Sequence, residues 1–357
     1  MRWPWKRKAS QDQFIVSWSG KTLAFVRARR KGDGSFSVLQ WGVVRQGNDS
    51  LPDLVHRLQA LGLKGQGAYV MLRADQYQLL QIEAPPVAPE ELRAAARYQI
   101  RDMVNVHIDD ITMDVLRVGD GQNKAANQLF VIAAATSVVR EAMDLAEAMH
   151  WAVTVIDVQE TAQRNLQSAL ARREARLDRA DAFLMVAGDR QAVLTISAGE
   201  ELFFSRRLDL PAGFMDMQWA HSNEQGAPVV DAYTPVDEYV PDYSVGGETH
   251  GTDYSGAPSA TGAMDNSDKA QRVLVEVQRS LDLWDRAWSN MPLSGLRVSA
   301  GERSAELAQW LSQEMGQSVS AMDLNTQFEG LQGGDAADLA YCVPLLGVLL
   351  RTEIRKL

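Results

Sequence analysis

Cysteine is almost missing from this chain of 357 residues: there is one, Cys342. A single thiol excludes an internal disulfide and any metal centre built on several thiolates, and it fits a reducing compartment. Histidine is also scarce. The five present (His56, His107, His150, His221 and His250) show no metal-ligand spacing, so no metal site is expected. The phosphate-loop pattern G-x-x-x-x-G-K-[ST] is absent, as are G-x-G-x-x-G, the G-x-S-x-G elbow and H-E-x-x-H. Gly20-Lys21-Thr22 has only the tail of the first of these, and it lies between two strand-like runs, not at a helix start. No run approaches the ~20 apolar residues that a membrane-spanning helix needs. The longest, residues 339–350, contains Pro344 and reads as buried core. No apolar segment follows the basic start, so no secretory leader is expected. A basic excess is lacking too: 36 Lys and Arg face 46 Asp and Glu, which argues against a nucleic-acid partner.

What is present is unevenly spread. Nine of the acidic residues fall between His221 and Asp268, a stretch with no Lys or Arg, and the remainder of the chain is nearly neutral. Residues 223–266 are rich in Gly, Pro, Ser, Thr, Asp and Tyr and have almost no aliphatic periodicity. Burial there cannot offset chain entropy, so residues 222–268 are expected to form a disordered acidic insertion. Its tyrosines (Tyr233, Tyr239, Tyr243, Tyr254) belong to a plain linker or act as stickers for a partner. Residues 1–12 form a basic aromatic tail. Trp3 and Trp5, beside Lys6, Arg7 and Lys8, suit either a disordered tail or a membrane-contacting one. Indole rings sit well at headgroup depth, and each cation gains roughly 1 kcal/mol near anionic lipid.

The length suggests two domains or one two-lobed unit. Strand-like runs at 14–19, 22–29 and 36–44 form a meander, with Gly20-Lys21 and residues 31–34 as turns. A helix fits 51–61, then strands at 68–72 and 78–82. Pro85, Pro86 and Pro89 break the chain before a second helix. Strands at 111–118 and 129–135, a helix at 138–150, a strand at 153–158 and a long helix from Glu160 to about Asp178 follow. Runs at 183–186, 192–197 and 202–208 repeat the opening meander, which suggests a duplicated α/β unit. Order returns at Lys269 with a helix that carries Val273, Val277, Leu281, Trp284 and Trp288 at helical spacing. The two tryptophans read as core or as a binding hot spot. A strand at 296–299, a helix at 304–315, a strand at 319–324 and a helix at 336–351 complete the chain.

Several blocks together resemble one family. Residues 77–92 look like its strand, proline turn and helix start. Ala95-Ala-Arg-Tyr-Gln-Ile-Arg-Asp-Met103 and residues 108–114 resemble the helix and strand of its inserted module. Residues 131–136 and Val155-Ile-Asp-Val158 resemble the rest of that module, and residues 276–282 a helix of its second half. Each block is soft alone, but their order is similar to that of the PilM-like type IV pilus biogenesis proteins, in particular the MshI branch that serves mannose-sensitive haemagglutinin pili. The cell-division protein FtsA and the cytoplasmic part of the type II secretion protein GspL are more distant likenesses. The resemblance implies an α/β, actin-like (ribonuclease H-like) fold, duplicated in two lobes with an inserted FtsA/PilM-type subdomain. It divides the chain into a first lobe at 13–158, with the subdomain at about 84–155, and a second lobe at 159–357.

Active members of the actin-like class hold phosphates on two glycine-containing turns and adenosine on a Gly-Gly turn, with acidic residues around the metal. Here the resemblance places Ser17, Ser19, Gly20 and Lys21 at the first turn. Gly188 and Asp189 fall at the second, and Ser299 and Gly301 at the third. Ser17 and Ala187 stand where carboxylates are usual, Trp18 where a small residue is usual, and Ala300 in place of one glycine. A phosphoryl-transfer site without metal-holding groups loses most of its means of acceleration. No catalysis and no cofactor are therefore expected, with Mg-ATP binding as the alternative and a sugar kinase or cell-division relative as a third reading. The implied role is a cytoplasmic scaffold, peripheral to the inner membrane. It would dock on the tail of a PilN- or MshJ-like membrane protein, with the pilus assembly ATPase as a further partner. Arg93, Arg97, Tyr98 and Arg101 are the candidates for the tail groove, since arginines four apart share a helix face, with a plain solvated face as the other reading.

Overall fold

The computed structural model describes residues 12–118, 127–186, 188, 190–219 and 261–352, with only the helical backbone described for 261–267. The tail residues Trp3, Trp5, Lys6, Arg7 and Lys8, Asp189 of the expected second turn and residues 220–260 of the acidic stretch lie outside the described residues.

β1 (Asp12–Ser19), β2 (Thr22–Arg30) and β3 (Phe36–Arg45) form the expected antiparallel meander. Gly20 and Lys21 both take positive φ, 56° and 61°. Two such residues in a row give a tight hairpin whose twist matches its strands. α1 (Leu51–Ala60) starts on a capping box between Ser50 and Asp53 and buries Leu54 and Leu58. β4 (Gly67–Leu72) returns parallel to β1.

β5 (Tyr77–Glu83), α2 (Leu92–Gln99), β6 (Ile111–Arg117) and β7 (Gln128–Ala135) make a separate module. Its three strands form their own antiparallel sheet in the order β5-β7-β6, and α2 buries Leu92 and Ala96 against it. α3 (Thr136–Ala148) and β8 (Ala152–Val158) then rejoin the first lobe. Ala142, Leu145, Ala146 and Met149 pack with Phe14, Val16 and Trp18, and β8 pairs with β4. The module thus spans β5 to β7, not residues 84–155. It begins one strand earlier, and the last helix and strand of the expected span belong to the lobe.

α4 (Gln159–Arg173) leads to the second meander, β9 (Ala180–Val186), β10 (Gln191–Ala198) and β11 (Glu201–Asp209). α5 (Thr261–Ala287), β12 (Leu293–Ser299), α6 (Ser304–Met315) and β13 (Val319–Ala321) follow. α5 begins at Thr261, inside the stretch expected to be a disordered insertion and upstream of Lys269. Trp284 and Trp288 are buried at T-shaped contacts with Phe203, so they are core. β14 (Phe328–Glu329) and α7 (Ala336–Leu349) close the described fold.

The sheets share one plan. The first runs β14-β3-β2-β1-β4-β8 and the second β11-β10-β9-β12-β13. In each, the meander's first strand is followed by two parallel strands. β14 and α7 correct the expected lobe boundary, because both return to the first sheet: β14 pairs with β3, and α7 packs on β1, β2 and β3. α4 and α7 lie against each other between the lobes, in a core that joins Ile15, Val26 and Met71 to Phe183 and Met185. Gly347 lets them meet, since a Cβ there would stand 2.1 Å from the Ala162 carbonyl oxygen. Cys342 lies in the same core. Burial pushes its thiol up to about 12, so it stays protonated and acts as a packing group.

Candidate functional site

The glycine turns follow β1, β9 and β12, and the first decides most. Side chains alternate along β1. Phe14, Val16 and Trp18 join the α1–α3 core, whereas Ile15 belongs to the core between the lobes. Ser17 and Ser19 follow Ile15. Trp18 therefore does not crowd the cleft; its Nε1 donates to Glu141 Oε1 at 2.8 Å, on the far side of the sheet. Ser17 is fully buried, and its hydroxyl has no hydrogen-bond partner among the described residues. Ser19 donates to Asp75 Oδ2 at 2.9 Å. Gln76 Nε2 donates to the Trp18 carbonyl at 2.7 Å. A short turn at the end of β4 thus covers the β1–β2 corner with its own polar groups.

Arg73, in the same turn, is buried. Its Nη2 donates to the Tyr341 carbonyl at 2.8 Å, and its guanidinium stacks 3.4 Å from the Tyr341 ring centroid. Burial holds this guanidinium below its ordinary pKa. Deeper lies an ionic knot. Glu160, in the first turn of α4, is 0% exposed. It accepts from the Tyr77 hydroxyl and, at 3.0 Å, from Arg207 Nη2 of β11. Arg207 Nη1 also donates to the carbonyls of Ala74 and, at 2.8 Å, of Tyr77. Burial, with the Glu160 charge beside it, raises the Tyr77 phenol well above its usual range, so it remains a donor. A nearby carboxylate, Asp157, is 3% exposed and accepts from Arg351 Nη1 at 2.7 Å.

The other turns are simpler. Gly188 has φ 75° and open space around it. Ser299 and Ala300 are buried. The Ala300 N–H donates to Ser304 Oγ at 2.8 Å, and Ser304 donates to the Gly301 carbonyl at 2.6 Å. A Cβ on Gly301 would come within 3.3 Å of Ala340 of α7, so the lobes nearly touch at this turn. Reading by position missed Asp75, Tyr77, Asp157, Glu160 and Arg207. Asp75, Asp157 and Glu160 signal only as carboxylates at strand or helix ends, and Tyr77 and Arg207 carry no signal. No group of three or more His, Cys, Asp or Glu side chains able to hold a metal occurs among the described residues.

The four groove candidates do not act as one face. Arg97 turns inward and donates to the carbonyls of Ile108 and, at 3.2 Å, Ile111, which clamps the chain where it enters β6. Arg93 is largely exposed and lies 3.5 Å from Asp114. Arg101 lies beyond the end of α2, beside Asp102, with its guanidinium 5.8 Å from the Tyr98 ring centroid. Tyr98 is 77% exposed, and the segment continues into exposed Met103 and Val106. Arg97→Ala is expected to cost about 1.5–3 kcal/mol, the range for hydrogen bonds to a charged group. Arg93→Ala should stay within about 0.5 kcal/mol. Urea melts of the two variants compare them directly.

No protein-family model matches the chain, and no curated protein does. Solved structures do. The chain is similar to the PilM–PilN type IV pilus biogenesis complex at 14% identity and TM-score 0.59, over 95% of this chain and 97% of that one. A Bacteroides thetaiotaomicron protein with an actin-like ATPase fold matches at 8% identity and TM-score 0.48, over 96% of each chain. The cytoplasmic domain of EpsL, an inner-membrane component of the Vibrio cholerae type II secretion system, matches at 16% identity and TM-score 0.38, over 56% of this chain and 71% of that one. At such identities the likeness speaks to fold. The chain has an α/β, actin-like fold.

Proposed function

On the premise of that fold, we propose that this chain is a non-catalytic scaffold of a type IV pilus assembly, of the MshI branch. It works on the cytoplasmic face of the inner membrane and docks on the cytoplasmic tail of a PilN- or MshJ-like protein. The observation that carries the reading is that the carboxylates around the cleft are bonded to donors of the protein itself, while the buried Ser17 hydroxyl finds no partner among the described residues. Glu160 is held by Arg207 and Tyr77, Asp157 by Arg351, and Asp75 by Ser19. A magnesium nucleotide would have to displace arginines from buried carboxylates to gain metal ligands, and no other set converges among the described residues. The residues present do not fit Mg-ATP. That the similar solved structure is a PilM–PilN complex favours attachment as the remaining task. The pilus assembly ATPase and, through Trp3, Trp5, Lys6, Arg7 and Lys8, the membrane surface are the further partners of this reading.

A nucleotide-binding adaptor is the second reading, favoured by the exposed Lys21 on its left-handed turn and by the open space at Gly188. A fluorescent peptide with the sequence of the partner's cytoplasmic tail tests the first. Anisotropy should rise with a Kd in the tens of micromolar or below, typical of a short peptide held in a groove. Tyr98→Ala should weaken binding about tenfold, as loss of an exposed aromatic anchor does. A peptide that stays free throughout the titration would count against docking.

A further inference from the structure

β3 has one settled edge and one open edge. The Gln46 N–H donates to the Lys21 carbonyl at 2.8 Å, and the register pairs Val44 with Leu23 and Gly42 with Phe25. In an antiparallel ladder every second residue bonds to the same partner. Gln40, Gly42 and Val44 therefore face β2, and Trp41 and Val43 turn their N–H and C=O groups the other way. The Arg45 carbonyl agrees with this count, because it accepts from Arg57 Nη1 at 3.1 Å and not from β2. On the outer side β14 covers only Phe36 and Ser37. Beyond them no strand pairs with β3 there among the described residues, and the outward groups of Trp41 and Val43 have no hydrogen-bond partner among them.

A trough of about 390 Å³ runs along this edge. Leu39, Trp41 and Val43 form one wall, and the loop from β14 to α7, with Gly330, Gly333 and Asp335, forms the other. A Cβ on Gly330 would lie 2.6 Å from the Val38 carbonyl oxygen, so the loop meets β3 there and the trough opens beyond that point. Leu39 is exposed. No Lys or Arg lines the space. Asp338 is held by Arg45, whereas Asp335 takes the Asp338 N–H at the start of α7 and has no ion-pair partner among the described residues. Unpaired backbone groups beside apolar side chains are a template for a further strand.

We propose that residues 1–11 of this chain dock on the β3 edge as an added antiparallel strand, with Trp5 beside Trp41, Trp3 beside Val43 and the tail's cations near Asp335. These residues lead directly into β1, two strands away in the same sheet. They hold Arg2, Lys6, Arg7 and Lys8 and no acid, and Trp3 and Trp5 stand two apart, the strand period. Pro4 between them cannot donate, which an outermost strand tolerates because its alternate N–H groups face solvent. The reach suffices. Asp12 is level with Ser37 through Arg29, and Trp41 lies opposite Val26. Three strand spacings across and about 10 Å along put roughly 17 Å between Asp12 and a place beside Trp41. The chain from Trp5 to Asp12 can span about 23 Å. The inference is independent of docking on a pilus protein, and it sets the tail against the membrane contact, since the same tryptophans cannot serve both at once.

Amide hydrogen exchange of the full chain, read residue by residue by NMR, tests it. The Trp41 and Val43 N–H groups should exchange about tenfold or more slowly in wild type than in the full-length double variant Trp3→Ala with Trp5→Ala, as expected when a hydrogen-bonded strand is lost. Gly42 and Val44, bonded to β2, should not change, which shows that the sheet is intact. Asp335→Asn keeps a side chain able to cap α7 and should speed exchange at Trp41 and Val43 a few-fold. An excess of a peptide with the sequence of residues 1–11, added to the double variant, should restore the slow rates. Tenfold dilution of wild type should leave them unchanged, because the tail is tethered; protection lost on dilution would assign the strand to a second copy and overturn docking within the chain. Fast exchange at Trp41 and Val43 in wild type would overturn the proposal. So would rates that the double variant leaves unchanged, and the tail would then be left to the membrane surface.

Discussion

Arg207→Met is expected to lower the free energy of unfolding by about 3–5 kcal/mol, the cost of removing one partner from a buried ion pair. The reason lies with Glu160. It is 0% exposed, so its carboxylate has no water to fall back on once the guanidinium is gone. Methionine fills a similar volume, so the loss reports charge and hydrogen bonding more than packing. The carbonyls of Ala74 and Tyr77 lose their donor in the same step. The double variant Arg207→Met with Glu160→Gln should recover part of the loss, because a neutral amide is cheaper to bury than an unpaired carboxylate. Urea melts of the single and double variants measure both effects. A loss below about 1 kcal/mol would mean that the knot is hydrated and contributes as a surface pair does. Arg207 belongs to the second sheet and the groups it holds to the first lobe and α4. The same measurement therefore reports how strongly the lobes are tied.

Gly347→Ala is the second large effect, and its sign runs against helix propensity. In an open helix the change would stabilise by about 1 kcal/mol. Here the added methyl would meet the Ala162 carbonyl oxygen at 2.1 Å and its carbonyl carbon at 2.6 Å. Those are backbone atoms, which cannot rotate aside. α4 and α7 would have to separate, and the bond from Asn165 Nδ2 to the Gly347 carbonyl, 3.0 Å, would stretch with them. Overpacking of this kind costs about 1–3 kcal/mol or more beyond the propensity gain. A net loss of about 2 kcal/mol is expected, with a lower melting temperature. An unchanged or raised melting temperature would show that the two helices are not pressed together at this point.

Much of this architecture was readable from local pattern, and the exceptions have physical causes. Both meanders were visible because a hairpin is local. Alternation and a turn such as Gly20-Lys21 lie within a few residues of each other. Sheet membership was not visible. β5 follows β4 after a short turn, yet joins the module's sheet, and nothing in residues 77–83 says which edge they will pair with. The two-residue strand β14 has no period to detect, and its return to β3 depends on partners about 290 residues away. α5 starts at Thr261 in a stretch that is polar by composition, where helix formation leans on the apolar face further along.

The site was harder still. The order of the strands places residues at the turns, but what each side chain does depends on long-range neighbours. Trp18 stands where the resemblance has a small residue, and alternation along β1 sends it to Glu141. Arg97 shares helical spacing with Arg93 and was grouped with it, although carbonyl oxygens at Ile108 and Ile111 claim it for the fold. Arg207 carried no signal at all, because its contacts lie 130 and 133 residues away at Tyr77 and Ala74. Spacing along the chain shows which residues can share a face. It does not show which of them a distant strand will take.

The claim that most needs testing is that this cleft is filled by its own ion pairs and does not grip a nucleotide. Titration calorimetry of the full chain with Mg-ATP addresses it most directly. The account predicts flat heats of dilution at millimolar nucleotide, with wild type and Lys21→Ala indistinguishable. A saturable isotherm that Lys21→Ala abolishes would contradict it, and would return the chain to the nucleotide-binding members of its fold.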